Sequence, residues 1–293
     1  MKVARSVGFI GLGNMGFPMV MNLLKLGFQV HVYDSGASKN LKLAERAGAV
    51  VKKNLSGIAK SSNLIITMLP NSEILAEVLF GPDHFYAEIQ SGTIIIDTGS
   101  SNPTQTQLIS KKLAALDIGM IDAPVIGGVA FAKDATLDFL VGGREDLISK
   151  CKPILSAMGR SITYCGPIGS GHALKALTNY VNTAAMVNVV EAIYIGKAFG
   201  IDELVMSRSL IETCTGRNHP IIKKIIPQVL TEAYDSGMAI SLVEKDLKIA
   251  LDIASENGCI YPLLEKTLEI ISSMVKTMGP NADQTKVAKF WEN

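Results

Sequence analysis

Lys175 and Asn179 stand four positions apart in a segment that predicts a helix after a glycine-rich turn. The segment reads GPIGSGHALKALTN over residues 166–179. Side chains at i and i+4 share one helical face, so both groups could engage a single small ligand. An amine can take or give a proton, and an amide can orient a hydroxyl without adding charge. The pair is therefore a candidate for proton transfer to a bound reactant.

A glycine turn near the start of the chain suggests what that reactant is. It consists of Gly11, Leu12, Gly13, Asn14, Met15 and Gly16. A β-rich run precedes the turn and a helical run follows it, which is the context of a dinucleotide-binding fingerprint. In such a fingerprint the first glycine permits the turn, the second admits the pyrophosphate, and the third lets helix and strand pack closely. Free N–H groups at the helix start would meet the phosphates.

Asp34 follows the second predicted strand, where the fingerprint places an acidic residue. A carboxylate at this point hydrogen-bonds the adenosine ribose hydroxyls and repels a 2′-phosphate, which favours NAD over NADP. The alternative is that Asp34 only caps the following turn, which contains Ser35 and Gly36.

Composition limits the partners of the chain. It has 293 residues, a net charge of +1, 19% charged and 48% apolar residues. The low charged fraction favours a homo-oligomer that covers apolar surface, and the scattered basic residues do not predict nucleic-acid binding. The cysteines lack the spacing of a metal site and predict reduced thiols in a cytoplasmic protein: Cys151, Cys165, Cys214 and Cys259.

The uncharged stretch between Arg5 and Lys25 resembles a signal peptide or membrane span in length alone. Glycines and Pro18 divide it into a short β-rich run and a helical run. We therefore expect neither secretion nor membrane insertion.

The first half of the chain alternates apolar strands with helices, which predicts a parallel sheet covered on both faces. Strands are predicted at residues 7–12, 29–33, 63–69, 93–97, 120–121, 137–142 and 161–164, and helices at 15–26, 104–115 and 145–158. The fold class is thus α/β, with an N-terminal Rossmann-type doubly wound sheet over residues 1–165. Its ligand crevice is expected at the carboxyl ends of the strands.

From residue 169 onward only helices are predicted. Fifteen uncharged residues separate Lys175 from Glu191, so a long helix here is expected to be buried nearly all round. Further helices are predicted at 202–214, 240–256 and 262–277. Residues 166–293 are expected to form an all-α substrate and oligomerisation domain, joined to the first by the long helix.

Taken together, these motifs resemble the β-hydroxyacid dehydrogenase family typified by 3-hydroxyisobutyrate dehydrogenase. The resemblance covers essentially the whole chain. Five blocks carry it in order: GFIGLGNMG at 8–16, MLP at 68–70, DAPVIGG at 122–128, GPIGSGHALKALTN at 166–179, and KDL at 245–247.

The resemblance implies hydride transfer between NAD and a small 3-hydroxy acid or its semialdehyde. It makes Lys175 the general acid/base and gives Asn179 the task of holding the substrate. It places Leu69, Pro70 and Ser100 on the cofactor, and Lys245 near the cofactor and substrate. It also implies a homodimer or homotetramer.

One position departs from the family pattern. Relatives usually have serine where this chain has Ile126, so a hydroxyl that would touch the substrate carboxylate is lost. The backbone N–H groups of Gly127 and Gly128 can still hold an anion. A lesser departure is Ala135, where relatives have glycine. The identity of the acid therefore depends on Ile126.

Several alternatives stand beside this interpretation. A 6-phosphogluconate dehydrogenase would have histidine and glutamate where this chain has Thr178 and Asn182, and an imine reductase would replace Lys175. A reductase of tartronate, succinic or a related semialdehyde, with a pocket altered at Ile126, stays open, as does a non-catalytic NAD-binding protein. Other expectations are structural: Lys245 and Asp246 could be a surface pair, Asn179 a core amide, and His172 a structural or solvent-facing residue.

Overall fold

The structure is a computed structural model that describes residues 6–36, 39–83, 85–198, 200–214, 220–256 and 262–292. His84, His219 and Cys259 lie outside these ranges. The chain divides into two compact units, Met1–Lys175 and Ala176–Asn293, and the boundary falls inside one long helix.

A sheet dominates the first unit. Its strands are β1 Ser6–Ile10, β2 Gln29–Tyr33, β3 Val50–Val51, β4 Leu64–Thr67, β5 Ile94–Asp97, β6 Gly119–Asp122, β7 Val125–Ile126, β8 Leu137–Gly142 and β9 Gly159–Gly166. They follow the order β3-β2-β1-β4-β5-β6-β8-β7, and β9 pairs with β8. Since β1 lies parallel between β2 and β4, the strand order reverses direction beside β1, where doubly wound sheets bind ligands.

Helices cover both faces of this sheet. They are α1 Gly16–Lys25, α2 Lys39–Arg46, α3 Leu55–Ser61, α4 Ser72–Phe80, α5 Phe85–Glu88, α6 Pro103–Ala114, α7 Val129–Lys133 and α8 Glu145–Leu155. Neighbouring residues of β4 illustrate the two layers, because Ile66 packs in one core with α1 and Ile65 in another with α3, α4 and α6. The predicted doubly wound α/β fold is confirmed.

The prediction of a parallel sheet is wrong at one side. β8 runs antiparallel to β6 and β7, while β9 is parallel to β8. The sequence did not predict β3 and β7, because two residues are too few to show the alternation of a strand.

The described part of the second unit is helical. It contains α10 Glu203–Cys214, α11 Ile240–Glu256, α12 Pro262–Met278, a π-helix at Ile221–Val229 and a 3-10 helix at Gln284–Trp291. The long helix, α9, spans Ser170–Ala198 and begins in the first unit. The all-α character of this half is confirmed.

The expectation that α9 is buried nearly all round is wrong. Leu174, Leu177 and Val181 are 38%, 42% and 62% exposed and share one face. Among the described residues, the core of the second unit includes Tyr180, Met186 and later residues of α9, and it does not include Leu174, Leu177 or Val181. Among the described residues, no helix has the length and apolar character needed to cross a membrane.

Candidate active site

Two glycines of the turn between β1 and α1 are explained by the packing of the protein itself. Gly11 has a φ of +97°, and a Cβ there would collide with the Met68 carbonyl oxygen. A Cβ on Gly16 would collide with the Gly11 carbonyl oxygen and touch Phe9. Both positions therefore need glycine for the fold to close.

Gly13 is different, because the protein does not need a glycine there. A Cβ on Gly13 would have no atom of the described residues within 4 Å, and its φ lies outside the left-handed region. The missing side chain leaves open space above a helix start, which is where a pyrophosphate approaches in the fingerprint. The turn thus fits a dinucleotide.

Asp34 joins the end of β2 to this turn. Its carboxylate accepts a hydrogen bond from the Leu12 N–H at 2.6 Å and another from the Gly36 N–H at 3.0 Å. The second bond is the turn cap expected as the alternative, and the first brings the carboxylate to the glycine turn. Asn40, which the sequence did not single out, donates to the Leu12 carbonyl oxygen at 2.7 Å.

The loops after β4 and β5 pack against each other beside the glycine turn. A Cβ on Gly11 would lie 3.3 Å from Leu69 Cδ2, and one on Gly99 would lie 2.6 Å from the Leu69 carbonyl oxygen. Pro70 follows and is exposed. The structure therefore brings Gly11 and Leu69 together.

Buried Asp97 shapes the loop that holds Ser100. It accepts hydrogen bonds from Thr67 Oγ1 at 2.9 Å, from the Gly99 N–H at 3.2 Å and from Ser101 Oγ at 2.8 Å. Ser100 lies between two residues that are bound to this carboxylate. The side chain is half-buried.

Ile126, Gly127 and Gly128 lie at the end of β7, where Ile126 pairs with Asp138 and is half-buried. Like Gly13, Gly128 would have its Cβ in open space with respect to the described residues. Helix α7 follows directly. It is joined to α1 by a hydrogen bond, which Asn22 of α1 donates to the Ala132 carbonyl oxygen at 2.7 Å.

The start of α9 is anchored on the sheet by buried Asp122. One carboxylate oxygen accepts from the Gly169 N–H at 2.7 Å and the other from the His172 N–H at 2.8 Å. Asp122 thus satisfies first-turn donors and places negative charge at the helix start. Lys175 follows one turn later and is half-buried. His172 is 1% exposed, so the solvent-facing alternative is wrong.

Within the second unit, Asp246 connects Asn179 and Lys245. The Asn179 amide donates to one oxygen of Asp246, and Lys245 Nζ lies 3.3 Å from the other. Asp246 is only 4% exposed, so Lys245 and Asp246 are not a surface pair. Asp246 stands inside the KDL block, but its partner is 67 positions away and cannot be found from spacing.

A cavity of about 590 Å³ lies elsewhere in the first unit, toward the amino ends of β5 and β6. Gly92, Asp117 and Tyr164 contribute to its lining. None of the glycine-turn residues line it, and ligands of doubly wound sheets bind at the opposite, carboxyl edge. We therefore place the site at the carboxyl edge.

Comparison with known proteins agrees with this geometry. Residues 6–166 match the family model described as the NAD binding domain of 6-phosphogluconate dehydrogenase. Residues 169–291 match the model described as NAD-binding of NADP-dependent 3-hydroxyisobutyrate dehydrogenase.

Individual relatives cover most of the chain. The 2-(hydroxymethyl)glutarate dehydrogenase of Eubacterium barkeri is 32% identical over 293 residues, 100% of this chain and 96% of that protein. The mitochondrial 3-hydroxyisobutyrate dehydrogenase of Drosophila melanogaster is 37% identical over 267 residues, 89% and 81% of the two chains.

A solved structure shows the same fold. It is the 3-hydroxyisobutyrate dehydrogenase of Mycobacterium tuberculosis with L-serine, at a TM-score of 0.88 and 25% identity, covering 98% of this chain and 99% of that one. From the two matching family models and these full-length relatives it follows that the chain belongs to the β-hydroxyacid dehydrogenase family of NAD-dependent oxidoreductases that act on CH–OH groups.

Proposed function

We propose that the protein interconverts a small 3-hydroxy acid and its semialdehyde, with Lys175 as the general acid/base. One observation carries the proposal: the helix that bears Lys175 begins on Asp122, at the same carboxyl edge of the sheet as the open position at Gly13. An amine capable of proton transfer is thus held in the same unit as the dinucleotide turn.

Bound NAD supplies the acceptor for the hydride that leaves the carbinol carbon. In this direction the neutral Lys175 amine takes the hydroxyl proton as the carbonyl forms. In the reverse direction its ammonium returns a proton to the developing alkoxide. Gly11, Leu12, Gly13, Asn14, Met15 and Gly16 would hold the pyrophosphate, and Leu69, Pro70, Ser100 and Lys245 would contact the cofactor.

Asn179 is suited to orient the substrate hydroxyl. A carboxylate only accepts hydrogen bonds, so Asp246 must face the amide nitrogen of Asn179. The amide oxygen then points away from Asp246 and can accept a hydrogen bond from a hydroxyl or amine on the Lys175 face of α9. The proposed role of Asn179 depends on its position four residues after Lys175, which puts both side chains on one face of α9.

We propose that Asp34 makes the protein prefer NAD to NADP. Its carboxylate already lies at the glycine turn, where a 2′-phosphate would meet negative charge. Asp34→Ala should then relax the ratio of kcat/KM for the two cofactors. An unmodified protein that already favours NADP would contradict this assignment.

For the substrate we propose a 3-hydroxypropanoate with a substituent on C2. The compounds named for the two relatives share this HOCH₂–CH–COO⁻ unit. The backbone N–H groups of Gly127 and Gly128 would bind the carboxylate, and Ile126 would favour an apolar substituent over a polar one. A semialdehyde reductase of the tartronate or succinic type is the second candidate, supported by the same loss of the family serine at Ile126.

The deciding experiment is a panel of short hydroxy acids and semialdehydes assayed with both cofactors. We expect NADH-linked turnover, and Lys175→Ala should lower kcat about 100-fold or more while NAD affinity stays near normal. Lys150→Ala, at an exposed position of α8, is the control. Undiminished turnover by Lys175→Ala would refute the acid/base role, and no turnover with any compound would favour a non-catalytic protein.

Ile126→Ser tests the choice of substrate. Restoring the family hydroxyl should raise kcat/KM for acids with small or polar substituents relative to apolar ones. If the relative kcat/KM values across the panel do not change, Ile126 does not set specificity.

We also propose that residues 166–293 mediate assembly into a homodimer or homotetramer, supported by the uncovered face formed by Leu174, Leu177 and Val181. A cytoplasmic location stays a prediction. The described thiols of Cys151 and Cys165 are free.

A further inference from the structure

We propose that His172 is a positioning residue for Lys175: its buried imidazole joins the helix of the proposed acid/base to the carboxylates at the ends of β5 and β6. The proposal rests on the proposed function of Lys175, and it concerns groups that lie together in the first unit. We call Asp97, Thr106, Asp122 and His172 the buried polar cluster.

The imidazole lies at the centre of this cluster. Nε2 is 3.6 Å from Asp97 Oδ2, Nδ1 is 3.8 Å from Asp122 Oδ2, and Nδ1 is 2.9 Å from Thr106 Oγ1. The His172 side chain is fully buried, and the two aspartate side chains are buried as well. One ring thus touches elements from β5, β6 and α6.

A hydroxyl of α6 ties the ring to that helix. Thr106 Oγ1 lies 2.9 Å from His172 Nδ1 and 3.0 Å from the Asn102 carbonyl oxygen. On the other side of the ring, Nε2 has no hydrogen-bond partner within the described part of the chain and lies 3.6 Å from Asp97 Oδ2. The contacts on these two sides set the orientation of the ring.

This orientation matters for Lys175 because positions i and i+3 are neighbours on a helix surface. The backbone N–H of His172 is bound to Asp122 while its ring is wedged beside Asp97, so the first turn of α9 is held at two points. Asp97 also holds the loop that contains Ser100. His172 therefore sets the Lys175 amine relative to the loop that we place on the cofactor.

The test is a double-mutant comparison of His172→Gln, Lys175→Ala and the combined variant at pH 8, with kcat, KM, NAD affinity and Tm measured for each. Gln keeps an amide donor and is close in length to the imidazole. We expect His172→Gln to lower kcat about 10- to 100-fold with KM and NAD affinity nearly unchanged. In the Lys175→Ala background the same change should alter residual kcat less than about threefold.

Two controls separate positioning from general damage. His31 is a second buried histidine of the first unit, on β2, and His31→Gln should leave kcat within about twofold. Thr106→Val removes the hydroxyl that contacts Nδ1, together with its hydrogen bond to the Asn102 carbonyl oxygen, and should reproduce a smaller loss that also disappears in the Lys175→Ala background. If His172→Gln does not fold under assay conditions, Thr106→Val provides the same comparison with and without Lys175.

The outcomes distinguish the two proposals. An unchanged kcat in folded His172→Gln, or equal fold-losses with and without Lys175, would overturn the positioning role. Full turnover by Lys175→Ala alone would instead refute the proposed function of that lysine.

Discussion

Gly13 and Gly128 are the site glycines whose missing side chains the protein's own packing does not explain. Each would have its Cβ in open space with respect to the described residues, whereas Gly11, Gly16 and Gly127 are each constrained by φ or by close atoms. A glycine that the fold does not need is best explained by a ligand that approaches the backbone. The two positions thus give the strongest single-residue support for the proposed cofactor and substrate sites.

We expect Gly13→Ala to fold normally and to lose NAD affinity. The fold has room for the methyl group, so the free energy of unfolding should stay level or rise by about 0.4–1 kcal/mol through reduced chain entropy. The pyrophosphate would meet the methyl group, and the NAD dissociation constant should rise about tenfold or more. Chemical unfolding and fluorescence titration with NADH measure the two quantities.

Gly128→Ala serves as the counterpart of this experiment. It should raise the substrate KM while NAD affinity stays unchanged. If Gly13→Ala binds NAD as tightly as the unmodified protein does, the open space at Gly13 does not hold the pyrophosphate.

Ala135 occupies a backbone conformation that suits glycine. Its φ is +54°, in the left-handed region, and the resemblance described above places a glycine at this position. A Cβ in this region costs roughly 1–2 kcal/mol. Alanine in place of glycine at position 135 therefore lowers the free energy of unfolding.

We predict that Ala135→Gly raises the free energy of unfolding by about 0.5–1 kcal/mol, since the relieved strain exceeds the added chain entropy. Ala76→Gly, inside α4, is the matched control and should lower it by about 1 kcal/mol. Urea denaturation gives both values. A destabilised Ala135→Gly would contradict the prediction of strain.

At the scale of elements, the contact between β6 and the start of α9 decides where Lys175 lies. Asp122 accepts first-turn N–H groups with both carboxylate oxygens. Gly171 permits this approach, because a Cβ there would collide with the Leu140 carbonyl oxygen and crowd Asp122. The helix is thus positioned by a buried polar contact and by the absence of a side chain.

Asp122→Asn should weaken the contact between β6 and the start of α9. An amide offers one oxygen and turns its NH₂ toward a backbone donor, so we expect the free energy of unfolding to fall by about 1.5–3 kcal/mol. The kcat should fall as well, because Lys175 follows one turn later. Asp146→Asn, in an exposed pair with Arg144, is the control and should change stability by less than about 0.5 kcal/mol. Equal stabilities of the two variants would argue against the anchoring role.

At the scale of the whole molecule, packing within a single chain does not explain the exposed apolar face of α9. Leu174, Leu177 and Val181 are too closely grouped to be scattered surface residues. A homo-oligomer that covers this face would account for the low charged fraction of the sequence.

We expect Val181→Glu to shift the protein toward smaller species, because a carboxylate would be buried in the proposed interface. Sedimentation velocity measures the mass of wild type and variant. Leu204→Glu, at another exposed apolar position on α10, should leave the mass unchanged. A wild-type monomer, or an unaltered oligomer in Val181→Glu, would contradict the proposal.

Local regularities were sufficient to predict much of the fold. The strands at residues 29–33 and 137–142 and the helix at 240–256 agree with the structure at both ends. Their periodicity is long enough to distinguish strand from helix. The glycine turn was also predictable, because the shape of a strand–turn–helix unit depends on residues near one another in the chain. Asp34 was singled out by its place after the second strand, although the Leu12 N–H that it binds lies 22 positions away.

The partners of the buried polar groups were not predictable in this way. Asp246 meets Asn179 across 67 positions, and His172 meets Thr106 across 66 and Asp122 across 50. Spacing along a chain indicates which side chains share a face of one element, but a contact between elements depends on how those elements pack. The residues of the chain thus establish the cofactor class and the candidate amine. The packing of α9 against the sheet decides how that amine is held, because buried carboxylates and a buried imidazole must find hydrogen-bond partners when water is excluded.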